Sequence, residues 1–351
     1  MLAEAGFEVN FAPYNLFRSG RYADALGRLG VNTLTRPRWW SIKSVVRKIA
    51  PLSDVVLLYR AVVADRLFDR IRNAAPSTKI LFHPVDLSFL RMQREADVLG
   101  DKALADEARR TRTAELGWIA RADATIVVSS QERELLARLQ PNAAVEHIPI
   151  LRDDPMRDWS AHNHQNGFQA RRDFLFLGNF DHTPNVDGVL WFVEQVWPLM
   201  LARGFRHRFI IAGAKVPGGI ARLASDQIKV IGYVEDLRQL FGAVRLSIAP
   251  LRYGAGIKGK IVTSLSFGVP VVATSMAAEG MQLQSEKEII LADAPGAMAS
   301  EIIRLHDDVE CWQRISLGGY GAFQNYFSLA NGGPRVVSIV DSLVAARRRA
   351  V

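Results

Sequence analysis

Within nine residues, Arg252-Tyr253-Gly254-Ala255-Gly256-Ile257-Lys258-Gly259-Lys260, the chain places three glycines and three cations. Those residue types at that spacing suit the gripping of an anion. Glycine lets backbone N–H groups come close to a ligand, and a helix start adds partial positive charge. Lys258 and Lys260 would add full charges. The expectation is a phosphate cradle; a surface loop with solvated lysines is the alternative. The flanking elements must position it. Leu246-Ser247-Ile248-Ala249-Pro250 is an apolar run stopped by proline, the pattern of a buried parallel strand. Ile261, Leu265 and Phe267 have helical spacing, Gly268 closes that helix, and Val271-Val272-Ala273 starts another strand.

Further candidates sit at strand ends. Asp54-Val55-Val56-Leu57-Leu58-Tyr59-Arg60 and Lys79-Ile80-Leu81-Phe82-His83-Pro84-Val85-Asp86-Leu87 read as buried strands. Strands alternating with helices imply a parallel sheet, whose sites lie at carboxyl ends, where Arg60, His83 and Asp86 fall. His83 and Asp86 are candidate site residues on that ground; for Asp86, capping the following helix is the alternative. A charged helical stretch over 91–121 is expected to be solvated on one face. Ser130 is read as capping a helix over 132–139. In the second half, Phe174-Leu175-Phe176-Leu177-Gly178-Asn179-Phe180 is a strand entering a glycine turn, and the helix after it is expected to turn Leu190, Trp191, Val193 and Val196 inward. Phe209-Ile210-Ile211-Ala212-Gly213 is the next strand. Residues 228–237 hold a strand and a turn, where Tyr233 and Val234 offer an apolar face and Asp236 a helix cap.

Composition narrows the classes. With 351 residues the prior is two domains. Lys and Arg number 44 against 36 Asp and Glu, a net charge of +8, which favours anionic partners. No aromatic-basic sheet motif or recognition helix accompanies that charge, so nucleic acid is not expected. Cys311 is the one cysteine, which excludes intramolecular disulfides and fits a reducing compartment. His162 and His164 have no third ligand nearby, so no metal site is expected. No apolar run is long enough for a membrane span, and no signal peptide is evident. Arg36-Pro37-Arg38-Trp39-Trp40-Ser41-Ile42-Lys43, followed by Arg47 and Lys48, has the composition of a patch for anionic lipid; a plain helix with core tryptophans is the alternative.

The stretch from Arg252 to Val272 resembles the donor-binding segment of the GT4-type retaining glycosyltransferases of GT-B fold. One bacterial branch writes it Arg-x-Gly-x-Gly-x-Lys-x-Lys, a helix, then Gly-x-Pro-Val-Val. The chain carries that pattern at Arg252, Gly254, Gly256, Lys258, Lys260, Gly268, Pro270, Val271 and Val272. Ala277-Ala278-Glu279-Gly280 is similar to the family's Ala-Glu-Gly turn. Val85-Asp86-Leu87-Ser88-Phe89-Leu90-Arg91 is similar to its Val-Asp-Leu-His-Phe-x-Arg, with Ser88 in place of the histidine. The family's paired glutamates, eight positions apart, fall by register on Ala255 and Thr263.

The resemblance implies an α/β chain with two facing Rossmann-like doubly wound domains, the amino-terminal one lacking its first strand. On it, residues 1–152 form an acceptor-side domain, 153–172 a linker, 173–333 the donor domain, and 334–351 a terminal helix returning to the first. Gly178, Asn179 and Gly213 would face the donor diphosphate. Tyr233 and Val234 would pack on the base. Arg252, Gly254, Gly256 and Thr263 would line the donor, and Glu279 would orient a sugar hydroxyl. The implied reaction is retaining, metal-independent transfer from a nucleotide sugar, bound as substrate rather than cofactor, to a glycan or lipid-linked acceptor. Lys258 and Lys260 would support the leaving diphosphate, with Asp86 and His83 beside the acceptor. Such a protein would work in the cytoplasm, peripheral at the inner membrane face, in cell-surface polysaccharide or glycolipid synthesis. A non-catalytic nucleotide-sugar-binding scaffold is the alternative.

Overall fold

The computed structural model describes residues 1–17, 20–156 and 167–349, with Arg21 through its backbone alone. His162 and His164 lie outside the described residues. The chain divides into two compact units. One comprises Met1–Phe89, Arg109–Ile148 and Gly332–Val351; the other comprises Leu90–Ala108 and Pro149–Asn331.

In the first unit, β1 (Val9–Phe11) and β2 (Val31–Thr33) pair in parallel, with α1 (Gly20–Arg28) between them. Residues 1–6 form hydrogen-bonded turns. After α2 (Ile42–Ile49) comes a separate parallel sheet ordered β3 (Val55–Tyr59), β4 (Lys79–His83), β5 (Ala124–Val127), β6 (Val145–His147). Along the chain between these strands run α3 (Ala61–Ala74), α4 (Ser88–Leu99), α5 (Lys102–Arg121) and α6 (Ser130–Leu139), of which Leu90–Ala108, most of α4 and the start of α5, belongs to the second unit. The charged stretch over 91–121 is helical as expected, divided between two helices. Gly100 turns the chain at φ 68°, and Asp101 accepts from the Leu104 amide to start α5. Ser129, not Ser130, occupies the cap position of α6, so that helix begins two residues earlier than the sequence indicates.

The second unit holds one six-stranded sheet, ordered β12-β11-β10-β7-β8-β9. Its strands are β7 (Asp173–Leu177), β8 (Phe209–Ala212), β9 (Ile228–Gly232), β10 (Val244–Ala249), β11 (Val271–Ala273) and β12 (Ile290–Leu291), all paired in parallel. Central strands buried on both faces favour apolar runs; β7 supplies one over Phe174–Leu177, while in β10 the buried Ser247 finds a partner by donating to Ser264 Oγ at 2.6 Å. Phe174 stacks on Phe209 at 4.8 Å, with Phe192 and Trp197 closing round the pair. The helices are α7 (Thr183–Trp191), α8 (Trp197–Ala202), α9 (Gly218–Ala221), α10 (Leu237–Ala243), α11 (Gly259–Ser266), α12 (Ser275–Ala278), α13 (Pro295–Asp307), α14 (Val309–Ala322) and α15 (Leu329–Arg348). The inward face after α7 is Val189, Phe192 and Val196, rather than Leu190, Trp191 and Val193. Residues Phe192–Val196 wind as a π turn, yet buried Asn185, Val189, Phe192, Val196 and Met200 keep helical spacing through it, so the buried face differs from the expected one in phase rather than in period. Gly332–Val351, most of α15, groups with the first unit, where Arg347 donates to Asp54 Oδ1 and the Pro51 carbonyl.

Candidate functional site

The glycine-rich turn follows β10 and leads into α11, as its sequence requires. Gly254 and Gly256 take φ values of 151° and 63°, which side-chain-bearing residues adopt only under strain. Every residue from 251 to 256 is held by another group. Thr274 Oγ1 donates to the Leu251 carbonyl at 2.6 Å. Arg252 makes a two-point ion pair with Asp187 of α7, which raises the guanidinium's pKa. Tyr253, almost fully buried, donates its hydroxyl to Glu95 at 3.2 Å. Arg94 donates to the Gly254 carbonyl at 2.7 Å. The Lys258 ammonium donates to the carbonyls of Gly256, at 2.6 Å, and Ala255, at 3.1 Å. Neither lysine of the turn is splayed into solvent. Lys258 is buried and buttresses its own loop.

Lys260 sits in the first turn of α11. Its ammonium donates to Asn185 Oδ1 and lies 4.2 Å from the centre of the Phe176 ring. Burial of that ammonium, with the nearby charge of Lys258, pushes its pKa down to about 7. Asn185 in turn donates to the Asn179 carbonyl at 2.6 Å. It is a buried polar residue with both ends of its amide engaged, and it ties the Gly178 turn to α11.

Gly178 and Gly213 end the neighbouring strands β7 and β8. Gly213, at φ 154°, passes so close to Gly178 that an added Cβ would stand 1.6 Å from its carbonyl oxygen. A Cβ on Gly178 would meet Phe176 at 2.9 Å and Asn185 at 3.0 Å. The two bare turns therefore pack against each other, Gly178 also against Asn185, while Asn179 holds its own turn by accepting from the Asp181 amide. Thr263 donates its hydroxyl back to the Gly259 carbonyl at 2.8 Å and is buried in α11. Tyr233 leaves its ring exposed just past β9, while Val234 packs on the cluster of Leu175, Phe241 and Phe267. Asp236 caps α10 by accepting from the Arg238 amide, as expected. Glu279 receives both terminal nitrogens of Arg94, at 2.5 and 2.8 Å.

In the first unit, His83 ends β4 with its Nδ1 accepting from the Val85 amide, which leaves the ring proton on Nε2. Burial lowers its pKa to about 4, so it is neutral at pH 7. Tyr59 meets it edge-on at 5.1 Å. Val85 and Arg60, at adjacent strand ends, both take positive φ, 80° and 79°. For β-branched Val85 that is a strained conformation of the kind that collects at functional turns. Asp86 stands in the next position. The first amides of α4, from Ser88 and Phe89, donate to Glu115, a fully buried carboxyl whose pKa burial raises to about 7.

Sequence reasoning passed over Asn185, Asp187, Arg94, Glu95 and Glu115. Asn185 and Asp187 lie early in α7. Arg94 and Glu95 belong to the charged stretch read as a solvated face, and nothing local marks them. Among the described residues, no three His, Cys, Asp or Glu side chains cluster so as to hold a metal ion. Nor is any helix among them long and apolar enough to cross a membrane.

The fold is GT-B, with two Rossmann-like units. The chain is similar to sucrose-phosphate synthase from Thermosynechococcus elongatus, at TM-score 0.74 and 15% identity, covering 98% of this chain and 91% of that one. It is also similar to HepE from Anabaena, solved with UDP and glucose, at TM-score 0.68 and 14% identity over 95% and 91% of the two chains. Residues 171–308, most of the second unit, match the family model "Glycosyl transferases group 1". A curated relative, an uncharacterized 44.6 kDa protein in the cps region of Klebsiella pneumoniae, is 23% identical over 193 residues, 52% of this chain. That match spans 47%, about half, of the relative's length.

Proposed function

We propose that the chain is a GT4-type retaining glycosyltransferase, moving a sugar from a nucleotide-sugar donor to an acceptor hydroxyl. The carrying observation is the immobilised turn from Leu251 to Lys260 beside the bare Gly178 and Gly213 turns. Donors fixed before the reaction cost no reorganisation when charge builds on a leaving diphosphate, and that is the largest catalytic contribution in such a site. The reading gives the leaving group's charge to Lys258 and Lys260 rather than to a metal. Lys258 shapes the turn, and Lys260 is the titratable contact. Tyr233 offers its exposed ring to the base, and Glu279 a carboxylate to a sugar hydroxyl. His83, neutral and beside strained Val85, with Asp86, belongs to the acceptor side. Solved neighbours in complex with UDP or UDP-glucose make UDP-glucose the first donor to test. Exchanging Lys258 and Lys260 together for alanine should lower donor turnover by about 100-fold or more. Turnover unchanged in that double variant would falsify the reading.

The acceptor is a glycan or lipid-linked glycan for cell-surface polymer or glycolipid assembly, met at the inner membrane face. Residues 25–53 hold six cations and no acid, and Arg36, Arg38, Lys43, Arg47 and Lys48 are exposed beside Trp40 and Leu52, 72% and 80% exposed. Basic side chains with apolar anchors suit an anionic lipid surface. Co-sedimentation with vesicles containing phosphatidylglycerol, lost in high salt and in Trp40→Ala, checks this. A second reading, a non-catalytic nucleotide-sugar scaffold, is favoured by Thr263 and Ala255 standing where the resemblance expects glutamates. Nucleotide binding without transfer or donor hydrolysis, across a panel of sugars, would select it.

A further inference from the structure

Arg94 lies 160 positions upstream of the carbonyl it grips in the glycine-rich turn. It belongs to the Leu90–Ala108 stretch of the second unit. Its Nη1 donates to Gly254 O at 2.7 Å and to Glu279 Oε2 at 2.5 Å, while Nη2 donates to Glu279 Oε1 at 2.8 Å. Both side chains are largely shielded, 23% and 22% exposed, so the pair works at reduced dielectric. The two-point fork is a geometry that arginine provides and lysine does not. Gly254 is bare on the side facing Lys258, where an added Cβ would come within 3.1 Å of Cε and 3.4 Å of Nζ. Guanidinium, Gly254 peptide and Lys258 ammonium therefore form one contiguous series. The neighbouring Glu95 takes the Tyr253 hydroxyl, so two successive residues of α4 hold two successive residues of the turn.

Without Arg94, the Glu279 carboxylate would stand uncompensated beside a turn built to attract an anion. We infer that Arg94 is a positioning residue of the donor site: it neutralises Glu279, fixes the Gly254 carbonyl, and so preserves the positive field of the turn for a diphosphate. It also orients Glu279 toward a sugar hydroxyl, since each carboxylate oxygen keeps a second lone pair after accepting from Arg94. The inference rests on the donor-site reading of the turn and extends it to a residue outside every motif.

The test is titration calorimetry with UDP and UDP-glucose on the full chain. Arg94→Ala should weaken UDP binding about tenfold, the scale of a buried carboxylate left unpaired near an anion site. Arg94→Ala with Glu279→Gln should recover to within about threefold of Glu279→Gln alone, because the offending charge is gone. Arg94→Lys, which keeps charge without the fork, should fall between. Additive losses, with no recovery in the double variant, would mean a merely structural contact and overturn the inference. If Arg94→Ala does not fold, Arg94→Lys decides: about threefold weaker UDP binding supports the inference and unchanged binding overturns it. If UDP binds, is lost in the Lys258→Ala, Lys260→Ala protein, and is unaffected by Arg94→Ala, only the Arg94 inference falls. If wild-type protein binds neither nucleotide, the donor-site reading falls and takes this one with it.

Discussion

In the second unit six strands form one sheet, and the turn at its carboxyl edge is held at every residue from Leu251 to Gly256. In the first unit the strands are divided between a pair and a four-stranded sheet. Of eighteen exposed large apolar side chains among the described residues, ten lie between Phe11 and Val62. Nine of the twelve largest fully buried side chains belong to the second unit. The contrast separates two ways of building a site. A diphosphate has fixed charge and shape, so a rigid, prearranged turn recognises it with little ordering cost. A surface rich in exposed aromatics and cations suits a broad or variable partner such as a membrane-borne acceptor.

Substitutions should sort the units by tolerance. The largest effect is expected at Gly213→Ala. Its Cβ meets backbone, which cannot give way, so the variant should lose about 4 kcal/mol or fail to fold, read by chemical denaturation. Phe209→Ala, removing the stacked partner of Phe174, should cost about 3 kcal/mol in the same measurement. Glu115→Ala in the first unit strips the acceptor from two amides at the start of α4 and should cost about 2 kcal/mol. Leu52→Ala, at an 80% exposed site, should stay within about 0.5 kcal/mol of wild type. A large loss at Leu52 would mean that the first unit is not the tolerant one.

Lys260 supplies a pH test. Its folded pKa, about 7, is depressed from the ordinary lysine value of 10.5. Between those values the unfolded chain holds the extra proton, so this group makes stability rise with pH from about 7 to 10.5. Nucleotide binding should run the opposite way. Affinity for UDP should fall as pH rises through 7 and the ammonium discharges, with proton uptake on binding near neutral pH measured by calorimetry in two buffers. Lys260→Arg should flatten that dependence. A pH-independent affinity between 6 and 8.5 would separate Lys260 from the diphosphate.

Much was legible in the chain alone. The apolar runs at Phe174, Phe209 and Leu246 could only be buried strands, and the glycines at 178, 213, 254 and 256 marked the turns between them. Periodicity also implied the helices, because a 3.6-residue repeat of apolar side chains has one way to be buried. It missed the phase of the buried face at Val189–Val196 and the break at Gly100 within the charged helical stretch.

What the amino-acid order determined, then, is the alternation of strand and helix, the glycine turns, and the concentration of cations at one of them, all features set by neighbours a few positions apart. Only the tertiary structure decided which charges face one another. Arg252 meets Asp187, Lys260 meets Asn185, and Arg94 meets Glu279, across separations of 65, 75 and 185 positions. Such pairings depend on the packing of whole elements, and no local pattern encodes which side chains that packing will bring within 3 Å.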